Sequence, residues 1–297
     1  MNLVPVEQRC DSGLLFRGLQ SPQRGLPLLV FLHGNGFAAG VYLPMLSGLA
    51  EHYDILALDL PGHGGSELPA VFPGWNAVAE LVHRAAVNTG LLRDRPVFGI
   101  GHSLGGVLTL LSGHRHPSIY SSLVLLDPIL FPQRMLMLMR LIGALKLTSM
   151  VHPNVKSTRR RRKTWPSREA AFNYLHGRKI FNNWTDESLH SFTRYALTDV
   201  PDGTVRLSCD PQTEATFFAT LPRGLWRALR ELDCPVSVIM AENTYPFAIR
   251  AACTASEINS LIRHRMVPGG HCYMQENPKA AIQEVLNSLG ASPGDVN

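Results

Sequence analysis

Short unbroken apolar runs alternate with stretches of helical spacing along most of the chain. Leu28 to Leu32 leads into His33-Gly34, Ile55 to Leu58 ends at Asp59, and Pro96 to Ile100 ends at Gly101. Leu123 to Leu126 closes on Asp127-Pro128, and Pro235 to Met240 and His264 to Val267 follow far downstream. Each run reads as a buried strand. Between them, Val41 to Glu51 carries Val41, Met45, Leu46 and Leu49 at helical spacing. Trp75 to Gly90 gathers Val78, Leu81, Val82, Ala85 and Ala86 on one side. A helix opens at Val107 and ends near His116-Pro117; Ala248 to Ile258 and Pro278 to Leu289 read as two more. Residues 3–18 read as two short strands around Asp11-Ser-Gly13. Buried strands alternating with helices predict an α/β fold with a mostly parallel central sheet flanked by helices on both faces.

In such sheets ligands collect at the carboxyl ends of the strands. His33, Asp59, Ser103, Asp127, Glu242 and His271 all fall at those ends. The interval 129–230 breaks the alternation: it is helical in pattern and rich in Met, Arg and Trp. It reads as a helical cap inserted between a first core segment, 1–128, and a second, 231–297. Met135 to Leu145 is apolar almost all round and suits either a cap core or an adaptable wall for an apolar substrate, since Met fills irregular shapes. The run Arg159 to Lys163 reads as a solvated helix face; with the Met stretch it also admits contact with a membrane surface, the weaker reading.

At 297 residues and 45% hydrophobic, the chain can bury a substantial core. A net charge of +5, with no aromatic-and-basic motif, does not call for nucleic acid. The N-terminus lacks a charged start followed by an apolar core, and no run is long enough to span a membrane. Five scattered cysteines, without C-x-x-C or H-E-x-x-H, predict reduced thiols in a cytoplasmic protein and no metal site.

The most informative stretch is Gly99-Ile-Gly-His-Ser-Leu-Gly-Gly106. Ser103 sits between strand and helix with glycines at −2 and +2, giving G-x-S-x-G. So tight a turn strains the serine backbone and thrusts its hydroxyl outward. The helix behind it directs free N–H groups and its positive end at that hydroxyl. Together with Leu32-His-Gly-Asn-Gly36, Asp59-Leu-Pro-Gly-His-Gly-Gly-Ser66 and Pro268-Gly-Gly-His271, it resembles the serine-nucleophile α/β-hydrolase superfamily, its esterase and lipase-like members with a helical cap. The resemblance covers roughly residues 25–128 and 232–290.

That resemblance implies an α/β-hydrolase fold and the order nucleophile, acid, histidine. Ser103 is the nucleophile and His271 its base. The family commonly places the acid after the strand Val236 to Met240, in a Gly-x-x-Asp pattern. Here the stretch is Ala241-Glu-Asn-Thr244, and a threonine supplies no charge. A minority arrangement puts the acid one strand earlier, which favours Asp127 over Glu242. The amides of Leu104 and Asn35 are the expected oxyanion donors. His33 braces its loop, Asp59 and His63 serve structurally, and His102 points elsewhere.

One competing pattern is present. Gly34-x-Gly36-x-x-Ala39 follows a strand and has Asp59 twenty residues on, a fair dinucleotide fingerprint. It leaves Ser103 and His271 unexplained, and two strand-like runs precede it. The expectation is therefore a cofactor-independent serine hydrolase acting on an ester-like acyl bond of a small, apolar substrate. The alternative is an idle hydrolase scaffold that binds a ligand or partner, with Thr244 as its best support.

Overall fold

The computed structural model describes residues 2–10, 13–144 and 153–290. Asp11, Ser12 and Leu145, named above, lie outside them. The chain runs through β1 (Val4–Arg9), β2 (Leu15–Gln20), β3 (Leu28–Leu32), α1 (Leu43–Leu49), β4 (Asp54–Leu58), α2 (Trp75–Asn88), β5 (Val97–His102), α3 (Leu104–Arg115) and β6 (Ser122–Leu126). After β6 come α4 (Gln133–Ala144), α5 (Pro153–Arg159), β7 (Thr164–Trp165), α6 (Arg168–Leu175), α7 (Asp186–Tyr195), β8 (Leu197–Asp199), β9 (Val205–Leu207), α8 (Pro211–Ala219) and α9 (Leu225–Glu231). The chain closes with β10 (Val236–Asn243), α10 (Pro246–Ile258), β11 (Ile262–Gly270), α11 (Tyr273–Glu276) and α12 (Pro278–Leu289).

Eight strands form one sheet in the order β1-β2-β4-β3-β5-β6-β10-β11. Only β1 and β2 run antiparallel to their neighbours; from β4 to β11 every pairing is parallel. All five residues of β3 are buried, which is why its sequence is an unbroken apolar run rather than an alternation. The strand still sorts its side chains by the twofold pleat. Leu28, Val30 and Leu32 enter one core, with α2, α3, α9 and α10. Leu29 and Phe31 enter the other, with α1, α7 and α12. Each such side chain withdrawn from water contributes about 1.5–3 kcal/mol before ordering costs. The last helix shows its ends in sequence: the Asn277 side chain accepts from Ala280 N at 3.1 Å, Pro278 follows, and Gly290 leaves in the left-handed region at φ 74°.

Expected and observed elements differ at two places. The Pro268-Gly-Gly270 segment, expected as a turn after its strand, completes β11, pairing Gly270 with Asn243 across a register shift. The interval 129–230 is not wholly helical. It holds a small antiparallel sheet, β7-β9-β8, whose strands of two or three residues are too short to show a period.

The elements between β6 and β10 lie outside the large sheet and meet its carboxyl edge through specific contacts. Asn35 Nδ2 donates to Glu214 O at 3.0 Å, and Trp75 Nε1 to Thr220 Oγ1 at 3.1 Å. Thr185 N donates to Gln275 O at 3.1 Å. Among the described residues no helix is long and apolar enough to cross a membrane.

Candidate active site

Ser103 occupies the turn from β5 to α3 with φ 54° and ψ −115°, a conformation that L residues rarely adopt. Its surroundings hold it there. Its N–H donates to Leu126 O at 3.0 Å, and its carbonyl accepts from Ile129 N and Val107 N, each at 3.3 Å. The flanking glycines are required by contact. A Cβ on Gly101 would stand 2.3 Å from Gly105 O, and one on Gly105 would stand 2.1 Å from Leu32 O. Asp127, at the end of β6, also has positive φ, 42°, and its N–H donates to Ile239 O at 2.7 Å. Strain of this kind persists only where neighbours over-determine it.

The sheet brings Ser103, His271 and Asp127 into one hydrogen-bonded chain. Ser103 Oγ lies 3.0 Å from His271 Nε2. His271 Nδ1 lies 2.5 Å from Asp127 Oδ2, across 144 residues of sequence. A carboxylate can only accept, so Nδ1 carries the proton and Nε2 presents its lone pair to the serine hydroxyl. Asp127 is almost wholly withdrawn from solvent, 1% exposed, while His271 remains partly open at 17%. Glu242 is exposed at the end of β10 and has no part in this chain. Thr244 does: its hydroxyl donates to Asp127 Oδ2 at 2.5 Å and stands 3.4 Å from His271 Nδ1. With Ala241 N on Oδ1 at 2.9 Å, the carboxylate accepts from three donors.

Asn35 and Leu104 line the same cavity as Ser103 and His271. Asn35 is fixed through its side chain, which donates to Glu214 O at 3.0 Å, and its Oδ1 stands 3.2 Å from His63 Nε2. His33 is fully buried. Its Nε2 accepts from Leu60 N at 2.9 Å, so Nδ1 holds the proton and donates to Gly34 O at 2.8 Å. Burial, and secondarily the His63 charge, pull its pKa well down, which suits a neutral brace. Asp59 accepts from Ala39 N at 2.8 Å and Gly65 N at 3.0 Å, and burial raises its pKa to about 6.

His102 does not simply point away. Its Nε2 stands 2.8 Å from His271 O, and its Nδ1 stands 2.6 Å from Tyr42 Oη, which also accepts from Gly34 N at 3.0 Å. One buried relay thus ties the Gly34 loop to the histidine loop. The residue type next to a serine elbow is the only trace of this in the sequence; the Tyr42 partner lies 60 residues away.

The cavity measures about 580 Å³. Met135, Leu138, Met139 and Ile142 of α4 line it, with Phe181, Phe217, Phe218 and Phe247. Met137, Leu138 and Leu141 are each more than half exposed, while Leu136 is buried in the core with Met135 and Met139 packed against it, so the Met-rich helix both joins the core and walls the cavity. The basic run also departs from a uniform solvated face: the chain leaves α5 at Arg159, and Arg161 turns inward to the cavity beside Glu214. The two Gly positions of the dinucleotide fingerprint are filled by this chain's own side chains. A Cβ on Gly34 would meet His102 Nδ1 at 2.8 Å, and one on Gly36 would meet Glu214 Oε1 at 2.8 Å. The glycines serve close packing, and the dinucleotide reading falls with the fold.

The chain belongs to the alpha/beta hydrolase family, whose sequence profile matches residues 29–284. It is similar to 2-(acetamidomethylene)succinate hydrolase of Mesorhizobium japonicum, 24% identical over 293 residues, 96% of each chain. It is also similar to pimeloyl acyl-carrier-protein methyl ester esterase of Xylella fastidiosa, 31% identical over 99 residues, 33% of this chain and 36% of that one. Among solved structures, E-2-(acetamidomethylene)succinate hydrolase superposes with a TM-score of 0.76 at 20% identity, covering 98% of this chain and 100% of its own. The thioesterase domain from the curacin biosynthetic pathway does so at 0.74 and 17%, covering 96% and 100%. The structural likenesses establish the shared fold.

Proposed function

We propose that this chain is a cofactor-independent serine hydrolase that cleaves an ester-like acyl bond through an acyl-enzyme on Ser103. The observation that carries the reading is the hydrogen-bonded chain Ser103–His271–Asp127 opening into an apolar cavity. His271 Nε2 takes the Ser103 proton as Oγ attacks the acyl carbon. Asp127 holds the ring in one tautomer and stabilises the imidazolium. The oxyanion is received by the backbone N–H groups of Leu104 and Asn35, each such donor being worth roughly 10²–10³ in rate. Collapse expels the alcohol with the proton from His271. Water, deprotonated by the same nitrogen, then releases the acid and restores the serine.

Residues 129–230 act as a cap that shapes this cavity, with 1–128 and 231–297 as the core. The methionine and phenylalanine wall favours an apolar small-molecule substrate over a flat or highly charged one. A serine nucleophile disfavours the alkyl-ester chemistry that other members of the superfamily run on a carboxylate. A relative named as a methyl ester esterase and a structural neighbour named as a thioesterase domain fit acyl transfer. Five scattered cysteines fit a reducing cytoplasm. The idle-scaffold alternative rested on Thr244, and Asp127 supplies the charge that Thr244 lacks.

The test is turnover of p-nitrophenyl esters graded by acyl length. Wild type is expected to turn over the chains that fit the cavity, and Ser103→Ala to fall to background. Retained turnover in Ser103→Ala removes the reading.

A further inference from the structure

Within the apolar cavity lies an ionic pair, its carboxylate buried and its guanidinium half-buried, that the proposed reaction does not use. Arg161 Nη2 stands 2.7 Å from Glu214 Oε2. The Glu214 side chain is 8% exposed, and Arg161 is the only member of Arg159 to Lys163 that is not exposed. Its neighbours are committed elsewhere: Arg162 lies over the Tyr174 ring at 4.8 Å, and Lys163 pairs with Asp210 at 3.1 Å.

The pair is close but not hydrogen-bonded. Arg161 Nε, Arg161 Nη2 and Glu214 Oε2 are all buried without a hydrogen-bond partner among the described residues. Glu214 therefore compensates the guanidinium charge from off the N–H directions and leaves the in-plane donors unfilled. Nε–H and Nη2–H project in parallel, the fork that matches the two oxygens of a carboxylate. Buried donors left unmet are costly, and an acceptor that meets them recovers that cost.

Glu214 is itself immobilised on the Asn35 loop. Its carbonyl accepts from Asn35 Nδ2 at 3.0 Å, and its carboxylate packs where a Gly36 side chain would be. The fork is thereby referred to the same loop that flanks Ser103.

We infer that Arg161 recognises a carboxylate on the substrate, so that the acyl compound taken by this site has an apolar body and an acidic group remote from the scissile carbonyl. Met135, Leu138 and Phe181 receive the body, Arg161 takes the acid in a two-pronged contact, and Glu214 is the positioning residue that balances the charge when the cavity is empty of substrate. This rests on the serine-hydrolase reading above, and its test separates the two.

Ser103 is titrated with paired alkylphosphonofluoridates, one ending in methyl and one in carboxylate, at short, medium and long chain lengths. These probes require the serine and histidine but no particular leaving alcohol. In wild type the carboxylate probe is expected to inactivate faster than its methyl partner by about tenfold or more at one length. Arg161→Gln is expected to bring the ratio to near one, and Arg161→Lys, which keeps the charge and loses the fork, to an intermediate value. A wild-type ratio near one at every length overturns the inference and leaves the serine reading standing. So does a high ratio that survives in both variants. Should Arg161→Gln fail to fold, the wild-type ratio and Arg161→Lys decide. Failure of every probe to react removes the serine reading, and the inference with it.

Discussion

Thr244 donates its hydroxyl proton to Asp127 Oδ2 at 2.5 Å, from the strand end where the family commonly carries its acid. The Asp127 carboxylate stands at the end of the neighbouring strand, β6, and Thr244 supplies a hydrogen bond to it. A threonine there is compatible with the proposed Ser103–His271–Asp127 site. Thr244→Val removes the donor and keeps the shape. It is expected to slow phosphonylation of Ser103 by about ten- to a hundredfold, the worth of one hydrogen bond to a charged group. An unchanged rate would mean that Ala241 N and His271 hold the carboxylate without help.

Asp127 and Glu242 make opposite predictions. Asp127→Asn keeps the volume but allows the wrong histidine tautomer and withdraws the charge. Turnover is expected to drop on the order of 10³–10⁴-fold. Glu242→Gln, at an exposed position, is expected to stay within about twofold of wild type. The reverse ranking in ester turnover would show that the acid has been misassigned.

The elbow glycines are steric requirements. Gly105→Ala places a methyl 2.1 Å from Leu32 O and 2.6 Å from His33 O, both backbone atoms that cannot swing aside. The loss of stability is expected to reach about 3 kcal/mol or more, with activity lost as the Gly34 loop is displaced. Thermal unfolding checks it. A melting temperature within a degree or two of wild type would contradict the packing described.

Buried histidines are expected to make the fold acid-labile. Burial holds His33 and His102 well below their ordinary pKa and takes His63 down to about 4. The unfolded chain regains a value near 6.5 at each. Between about pH 4 and 6.5 the unfolded state therefore binds protons that the native state refuses, and stability rises with pH. Asp59 opposes this. Its native pKa, raised to about 6 by burial, makes its contribution fall as pH climbs from about 3.8 to about 6. Burial also takes His83 down to about 4 and raises the Glu214 carboxyl, and since each group contributes at most about 1.4 kcal/mol per pH unit, four histidines outweigh two carboxylates. The melting temperature is expected to rise from pH 5 to 6.5, with a shallower slope in His63→Gln. A flat or falling profile would contradict these directions.

How much could be read from the chain differs by element for physical reasons. β3 and β4 were legible because both their faces are buried, so the apolar run is uninterrupted. Ser103 and His271 were legible because a strained elbow and a glycine-rich strand end restrict residue type locally. Asp127 was legible only as one of two carboxylates, since its partners come from β10 and from the residues just past β10 and β11 and leave no mark beside it. Arg161 was hidden in a run of five basic residues, because one inward turn breaks no period. β7, β8 and β9 were hidden by brevity, and the Tyr42–His102 contact by its reliance on tertiary approach alone.

Everything proposed for this chain depends on Ser103 acting as a nucleophile activated by His271. Incubation of the native protein with a fluorophosphonate, followed by peptide mass spectrometry, tests it most directly. One adduct per chain is expected, on Ser103, lost in Ser103→Ala and strongly slowed in His271→Ala. A folded wild-type protein that remains unlabelled, or is labelled equally well without His271, would contradict it.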